Sequence, residues 1–305
     1  MFFRKIRKAW LVALLAIVAV LNSSIAFSSE NLSPFLPGVT TGTPLGASLP
    51  PGFYLVDTGY VASADKLKDG QGNSVPLKVH NYVNTDFFLW VPEWKLLGAQ
   101  YSANITVLYA RHDVDSSALG GYSSRSSGFF NTIVTPITLS WNLGQGLFTS
   151  TGLAVYVPGG NYHYADGKAL QTSYANNYLT LEPNWAISYL HDGWDFTVNN
   201  VFDFNRRNHS TDYRSGSAYY LDATATKTVG LWTWGVVGNY SRQFTNDKQY
   251  GQVVGNGNRF EHVLAGPLVA YELGKTKLTL RYLQDLRTRN DINVSFLYAS
   301  VAFRL

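Results

Sequence analysis

The chain lacks cysteine altogether, has a single methionine, and carries charged side chains at only 14% of its 305 positions. Without thiols there is no disulfide scaffold, no thiolate metal site and no cysteine nucleophile. Soluble globular domains carry about 25% charged residues, so a value this low points to a chain whose surface does not face water alone. Long apolar runs are also missing. The only one is the 13-residue stretch Ala9–Leu21, short of the roughly 18–20 residues that a membrane helix needs. It follows Arg4, Lys5, Arg7 and Lys8 and precedes Ser24-Ile25-Ala26, a small-x-small site, so residues 1–26 read as a cleaved secretory signal peptide. The formal charge of +4 resides there: 24 − 4 = 20 Lys and Arg remain against 20 Asp and Glu. A neutral mature chain excludes nucleic-acid binding by bulk charge.

What remains is rich in aromatic residues (15%) and glycine, a composition that favours strands and turns. Residues 27–52 hold Pro34, Pro37, Pro44, Pro50 and Pro51 among glycines and small polar residues, which excludes a regular helix or central strand and predicts an irregular N-terminal arm. From Phe53 onward apolar and polar residues alternate. Ala99, Tyr101, Ala103, Ile105, Val107 and Tyr109 oppose Gln100, Ser102, Asn104 and Thr106; Leu181, Trp185, Ile187 and Tyr189 oppose Glu182, Asn184 and Ser188. Period two places such sets on opposite faces of a strand. The template predicts twelve strands, at 53–64, 79–91, 97–111, 129–142, 146–158, 178–190, 193–205, 215–229, 231–244, 260–273, 276–287 and 294–305. The strand at 260–273 fits least well, because Leu264 and Leu268 fall on its polar face.

Connections alternate long and short. Long loops are expected at 65–78, 111–128, 159–177, 206–214, 245–259 and 288–293, with tight turns near 92–96, 142–145, 191–193, 229–230 and 274–275. That rhythm predicts an all-β, transmembrane, antiparallel up-and-down barrel of about 12 strands in a Gram-negative-type outer membrane. A soluble β-sandwich shares the alternation and is the competing class. The tryptophans separate the two: Trp90, Trp94, Trp141, Trp194, Trp232 and Trp234 lie at or near short turns, as an interfacial girdle requires. Leu297, Ala299, Val301, Phe303 and Leu305 alternate to the last residue, as in a closing barrel strand.

The segments TPITLSW (135–141), VPGGNY (157–162), NYLTLEPNWAISYL (177–190), FNRRNHSTDYRSG (204–216), GNYSRQFTND (238–247) and AGPLVAY (265–271), with the arm PGVTTGTPLGASLPPGFY (37–54), resemble the outer-membrane family named for the meta-pathway of phenol degradation. The resemblance implies a channel or transporter for passive uptake of small, apolar or aromatic compounds. Its partners would be outer-membrane lipid, a small-molecule solute and the barrel-assembly machinery, with no cofactor and no nucleic acid. Departing from the usual terminal Phe, the chain ends on Leu305.

Candidate lumen residues are Glu182, Asn184, Asp195, Asp203, Asp222 and Arg281, on the polar faces of their strands. The acids form either a selective wall or a structural network, paired with Arg281 or held by Asn and Thr hydrogen bonds. In the 204–216 segment, Asn205, Arg206, Arg207, Asp212, Tyr213, Arg214 and Gly216 form a candidate rim motif, shaping a vestibule or contacting lipid phosphate. His209-Ser210 raises a lipid hydrolase as an alternative, though adjacent loop residues rarely build a triad and no oxyanion hole is apparent. A third reading is an adhesive barrel without transport. No histidine spacing predicts a metal; His112 with Asp113 and Asp115 comes nearest. The arm reads as a lumen plug or as a periplasmic tail.

Overall fold

A computed structural model describes Glu30 and residues 33–116, 122–166, 168–170 and 173–305. The expected signal peptide lies outside them. Twelve antiparallel strands run up and down: β1 (Gly52–Lys68), β2 (Ser74–Val91), β3 (Ala99–Ser116), β4 (Thr132–Gly144), β5 (Leu147–Val157), β6 (Thr180–His191), β7 (Trp194–Asn205), β8 (Ala218–Val229), β9 (Trp232–Gln243), β10 (Glu261–Leu273), β11 (Thr276–Arg289) and β12 (Asp291–Arg304). Each pairs with the next, and β12 pairs back onto β1 in the register Tyr60↔Tyr298, so the sheet closes without an edge. The described residues contain no helix long and apolar enough to cross a membrane, and the barrel needs none.

The side-chain distribution is inverted relative to a soluble protein. Trp185, Phe196, Phe202, Phe204, Trp234, Val236, Leu280 and Leu297 are exposed, whereas Thr58, Ser102, Ser150, Asn199, Asp203, Asp222, Asn239 and Arg281 are buried. A sandwich would expose the second set. The barrel is therefore coated for hydrocarbon and polar within.

One end is closed by tight turns. Asp192-Gly193 joins β6 to β7 with both residues at positive φ (48° and 74°), the two-residue turn whose twist matches the flanking strands. Trp90, Trp94, Trp194, Trp232 and Trp234 stand exposed at this end, and the Trp141 indole donates to the Leu97 carbonyl there at 3.1 Å. Trp185 is exposed farther up β6.

At the opposite end the loops are shorter than expected in three places. β1 and β2 extend to Lys68 and Ser74, leaving a five-residue turn (69–73) held by Asp69. β11 and β12 are separated by Asn290 alone. Within 111–128, β3 continues to Ser116 and pairs with a further strand, Tyr122–Phe129. On these extensions the outer face meets water and carries Lys78 and His80, while Leu77 and Val79 are buried inside against Ala64 and Phe296, so the alternation continues with its polarity reversed. Leu264 and Leu268 on β10 do point inward, and both are buried.

Candidate functional site

The interior contains residues 33–51 of the chain itself. They descend from the loop end, where the Glu30 amide donates to Ser215 Oγ (3.3 Å), to the turn end, where the Tyr54 hydroxyl donates to the Pro50 carbonyl (2.7 Å). Prolines and glycines leave this segment no helix or strand; its own turns satisfy the amides of Val39, Thr41, Leu45 and Ala47, and the other buried backbone groups need partners from the wall.

The wall supplies them from two sides. On β8, Asp222 accepts from the amides of Gly38 and Thr40 (3.0 Å each) and from Thr40 Oγ1 (2.6 Å), while Asn239 Nδ2 on β9 adds a fourth bond (2.7 Å). On β11, Arg281 donates to the carbonyls of Thr41 and Val39, the latter at 2.7 Å, and lies over the Tyr298 ring at 4.7 Å. Amides thus face the carboxylate and carbonyls face the guanidinium, in alternation along residues 38–41. Tyr298 adds a bond to the Pro37 carbonyl (2.9 Å), and Thr224 accepts from the Gly42 amide (2.8 Å).

Lower down, Ser188 Oγ accepts from the Gly46 amide (2.9 Å), Ser140 donates to the Gly46 carbonyl (2.6 Å), and Ser150 donates to Leu45 (2.7 Å). The close approach explains two glycines. A β-carbon on Gly42 would collide with Leu268, and one on Gly46 would lie 2.6 Å from the Ser188 nitrogen and 2.8 Å from the Phe148 carbonyl oxygen. Leu264, Leu268, Leu283, Phe296 and Tyr298 cluster along β10–β12 with Leu36 of the arm packed against them. This is why β10 has leucines on its inner face: at that wall the arm, not water, is the neighbour.

Of the candidate lumen residues, Glu182, Asp203 and Asp222 come together, and the Phe35 amide donates to Asp203 (3.4 Å). Asp195 sits apart near the turn end and accepts from Thr197 (2.5 Å); Asn184 is half-buried on β6. Among the described residues Arg281 forms no ion pair with these acids, because its guanidinium is taken up by arm carbonyls. Direct pairing with Arg281 is thereby corrected: acids and arginine meet through the arm, while Asn239, Thr40 and Thr197 supply the Asn and Thr hydrogen bonds of the network reading.

At the loop end, the rim motif divides into an inward and an outward set. Asn205, Tyr213 and Gly216 turn inward. Asn205 accepts from Thr180 (2.7 Å) and donates to the Gly216 carbonyl (2.9 Å). Asp247, which the sequence did not single out, gathers Tyr213 (2.6 Å), the Gly216 amide (2.7 Å), Gln243 (2.8 Å) and Asn258 (3.3 Å). Arg206, Arg207 and Arg214 turn outward, with Arg207 paired to Asp212 at 2.9 Å. Ser210 Oγ accepts from Asn177 (3.0 Å), and no hydrogen bond between Ser210 and His209 occurs among the described residues. His112 bonds to Asn81, and no cluster of three metal-ligating side chains occurs among the described residues.

Burial pushes the Asp247 carboxyl up to about 6 against four donors, and raises Glu30 against bonds from Thr211, Asn208 and Tyr162. A carboxyl with a raised pKa binds its proton more tightly in the assembled loops. Its stabilisation is complete below the ordinary carboxylate range and disappears as pH rises through 6. The Gly216 amide, corrected for intrinsic exchange, is therefore expected to be about tenfold better protected at pH 5 than at pH 7.5. Asp247→Asn should flatten that dependence.

A family model described as MetA-pathway of phenol degradation matches residues 64–298. No curated protein matches the chain in sequence. Among solved structures, an outer membrane channel from Pseudomonas putida F1 superposes with a TM-score of 0.74 at 15% identity, covering 89% of this chain and 100% of that one. The translocator domain of autotransporter NalP from Neisseria meningitidis gives 0.50 at 10% identity, covering 84% and 90%. Likenesses this remote in sequence establish the barrel fold.

Proposed function

The chain belongs to the family described as MetA-pathway of phenol degradation, and from that premise we propose that it is an outer-membrane channel for passive passage of small solutes, with its N-terminal arm as the plug. The observation that carries this reading is the alternation of donors and acceptors along residues 38–41, clamped between Asp222 and Arg281. Without the arm Asp222 would keep its bond from Asn239 and Arg281 would lose both carbonyls, so the matched pattern belongs to the seated arm. Hydrogen bonds and one apolar stripe hold the arm without any covalent tie to the wall, so it can leave while the closed ladder stays intact.

The solute class follows from what the arm covers. One wall, on β6–β8, presents Glu182, Asp203 and Asp222; the other, on β10–β12, presents Leu268, Leu283, Phe296 and Tyr298. A passage with one apolar-aromatic side and one hydrogen-bonding side suits an aromatic or apolar molecule bearing a hydroxyl group. The family description, phenol degradation, points the same way.

The test is flux through purified protein in liposomes, using phenol-like, sugar-like and charged solutes, with the full chain and with residues 27–51 removed. Faster entry of the hydroxyaromatic solute than of a sugar of equal size supports the proposal. A sealed barrel in both forms rejects it. Ester-lipid hydrolysis lost in Ser210→Ala would support the enzyme reading instead.

A further inference from the structure

The outer face of the barrel carries a cationic pocket at the loop end that the passage of solutes does not use. The β6–β7 ladder pairs Leu181 with Phe204 and Thr180 with Asn205, and the Arg206 amide donates to the Leu179 carbonyl, extending the ladder by one more pair. Cross-strand partners share a face. Phe204 is exposed to lipid and Asn205 is buried in the lumen, so Leu179 and Arg206 point outward again. They line a cavity of about 480 Å³ with Pro158, Arg207, His209 and Arg214.

The charges of this pocket are not balanced by the protein. Arg207 is matched by Asp212. Among the described residues no carboxylate lies within ion-pairing distance of Arg206, Arg214 or Lys248. Moreover, Arg214 stands directly opposite Lys248 where the loop strand Tyr213–Arg214 pairs with Lys248–Gln249. Like charges in register across a strand pair are unfavourable unless an anion lies between or beside them. The floor below is apolar: Val157, Phe202 and Phe204 are all exposed on the same outer wall.

We propose that this pocket binds the phosphorylated headgroup of an outer-leaflet glycolipid, the guanidinium groups holding phosphate and the acyl chains lying over Phe202 and Phe204. Guanidinium forks match phosphate oxygens bidentately, and their stems pack along apolar surface. A free anion would have no use for the apolar floor. A transported solute would approach from the lumen side, which these side chains do not face.

The experiment uses the full mature chain folded in detergent micelles and titrated with bisphosphorylated lipid A, with dephosphorylated lipid A and with inorganic phosphate. The bisphosphorylated lipid should bind at least about tenfold more tightly than the dephosphorylated one. Arg206→Gln with Arg214→Gln should abolish that preference, and the corresponding Lys variants should retain part of it. Because Arg214 also donates to the Asn205 carbonyl (3.2 Å), folding of the double variant is checked by heat-modifiable migration. If it does not fold, Arg206→Gln alone decides, since that side chain holds no part of the loop. Equal binding of the two lipids, or a preference that survives the Gln substitutions, overturns the proposal. So does inorganic phosphate competing at concentrations as low as the lipid's, which would mark an anion site with no lipid occupant.

Discussion

Removing residues 27–51 raises single-channel conductance in a planar bilayer severalfold, and Gly46→Val in the full-length chain reproduces most of the increase. The valine needs no large structural change to act. Its β-carbon would fall 2.6 Å from the Ser188 nitrogen and 2.8 Å from the Phe148 carbonyl oxygen, both backbone atoms of the wall that cannot rotate aside. The arm must lift there, losing its bonds to Ser188, Ser140 and Ser150. At about 1 kcal/mol for each hydrogen bond, that is enough to unseat the lower half of the segment. Gly59→Ala is the matched control, because a β-carbon there meets nothing within 4 Å and the arm is not involved. If both glycine variants conduct like the wild type, and the deletion does too, the arm is no barrier.

Arg281→Gln is expected to have the second largest effect, and a different one. The guanidinium holds the carbonyls of Val39 and Thr41 and stacks on Tyr298. Losing it leaves two buried acceptors short of donors, roughly 3 kcal/mol against the seated arm. It also removes the buried cation facing Asp222 across the arm, so Glu182, Asp203 and Asp222 dominate the lumen field. Conductance should therefore rise together with a shift of the reversal potential toward cation preference. Asp222→Asn also weakens the clamp but moves selectivity the opposite way. Conductance that rises in both variants with selectivity moving in opposite directions separates a clamp of two charges from a general loss of packing.

The two predictions use residues that were legible to different degrees. Asp222 and Arg281 stand on the polar parity of strands that alternate cleanly, so their inward placement follows from counting by two. Their partner did not. The arm is read from its prolines as irregular backbone, and irregular backbone has no period that tells which wall it touches. Thr40, Gly38 and Gly46 are ordinary small residues until the wall is brought to them. Asp247 lies in a loop where Asn, Asp and Gly are common, and only the convergence of Tyr213, Gly216, Gln243 and Asn258 marks it out.

Strand existence, order and the lipid-facing side were fixed by composition and period, because hydrocarbon on one side and a polar interior on the other impose alternation directly on the chain. The strand extensions at Lys68, Ser116 and Arg289 escaped that logic, since beyond the bilayer the outer face turns polar while Leu77 and Val79 pack inside, which reverses the pattern that marks a lipid-facing strand. Closure of the cylinder alone decided what fills it. It brought β6–β8 and β10–β12 to opposite sides of residues 38–42 and turned two misplaced leucines into a seat for the arm. It also left Arg206, Arg214 and Lys248 together on the outer rim without acids to neutralise them. Long-range contacts of this kind depend on which strands face one another across a bore, and no local run of residues encodes that distance.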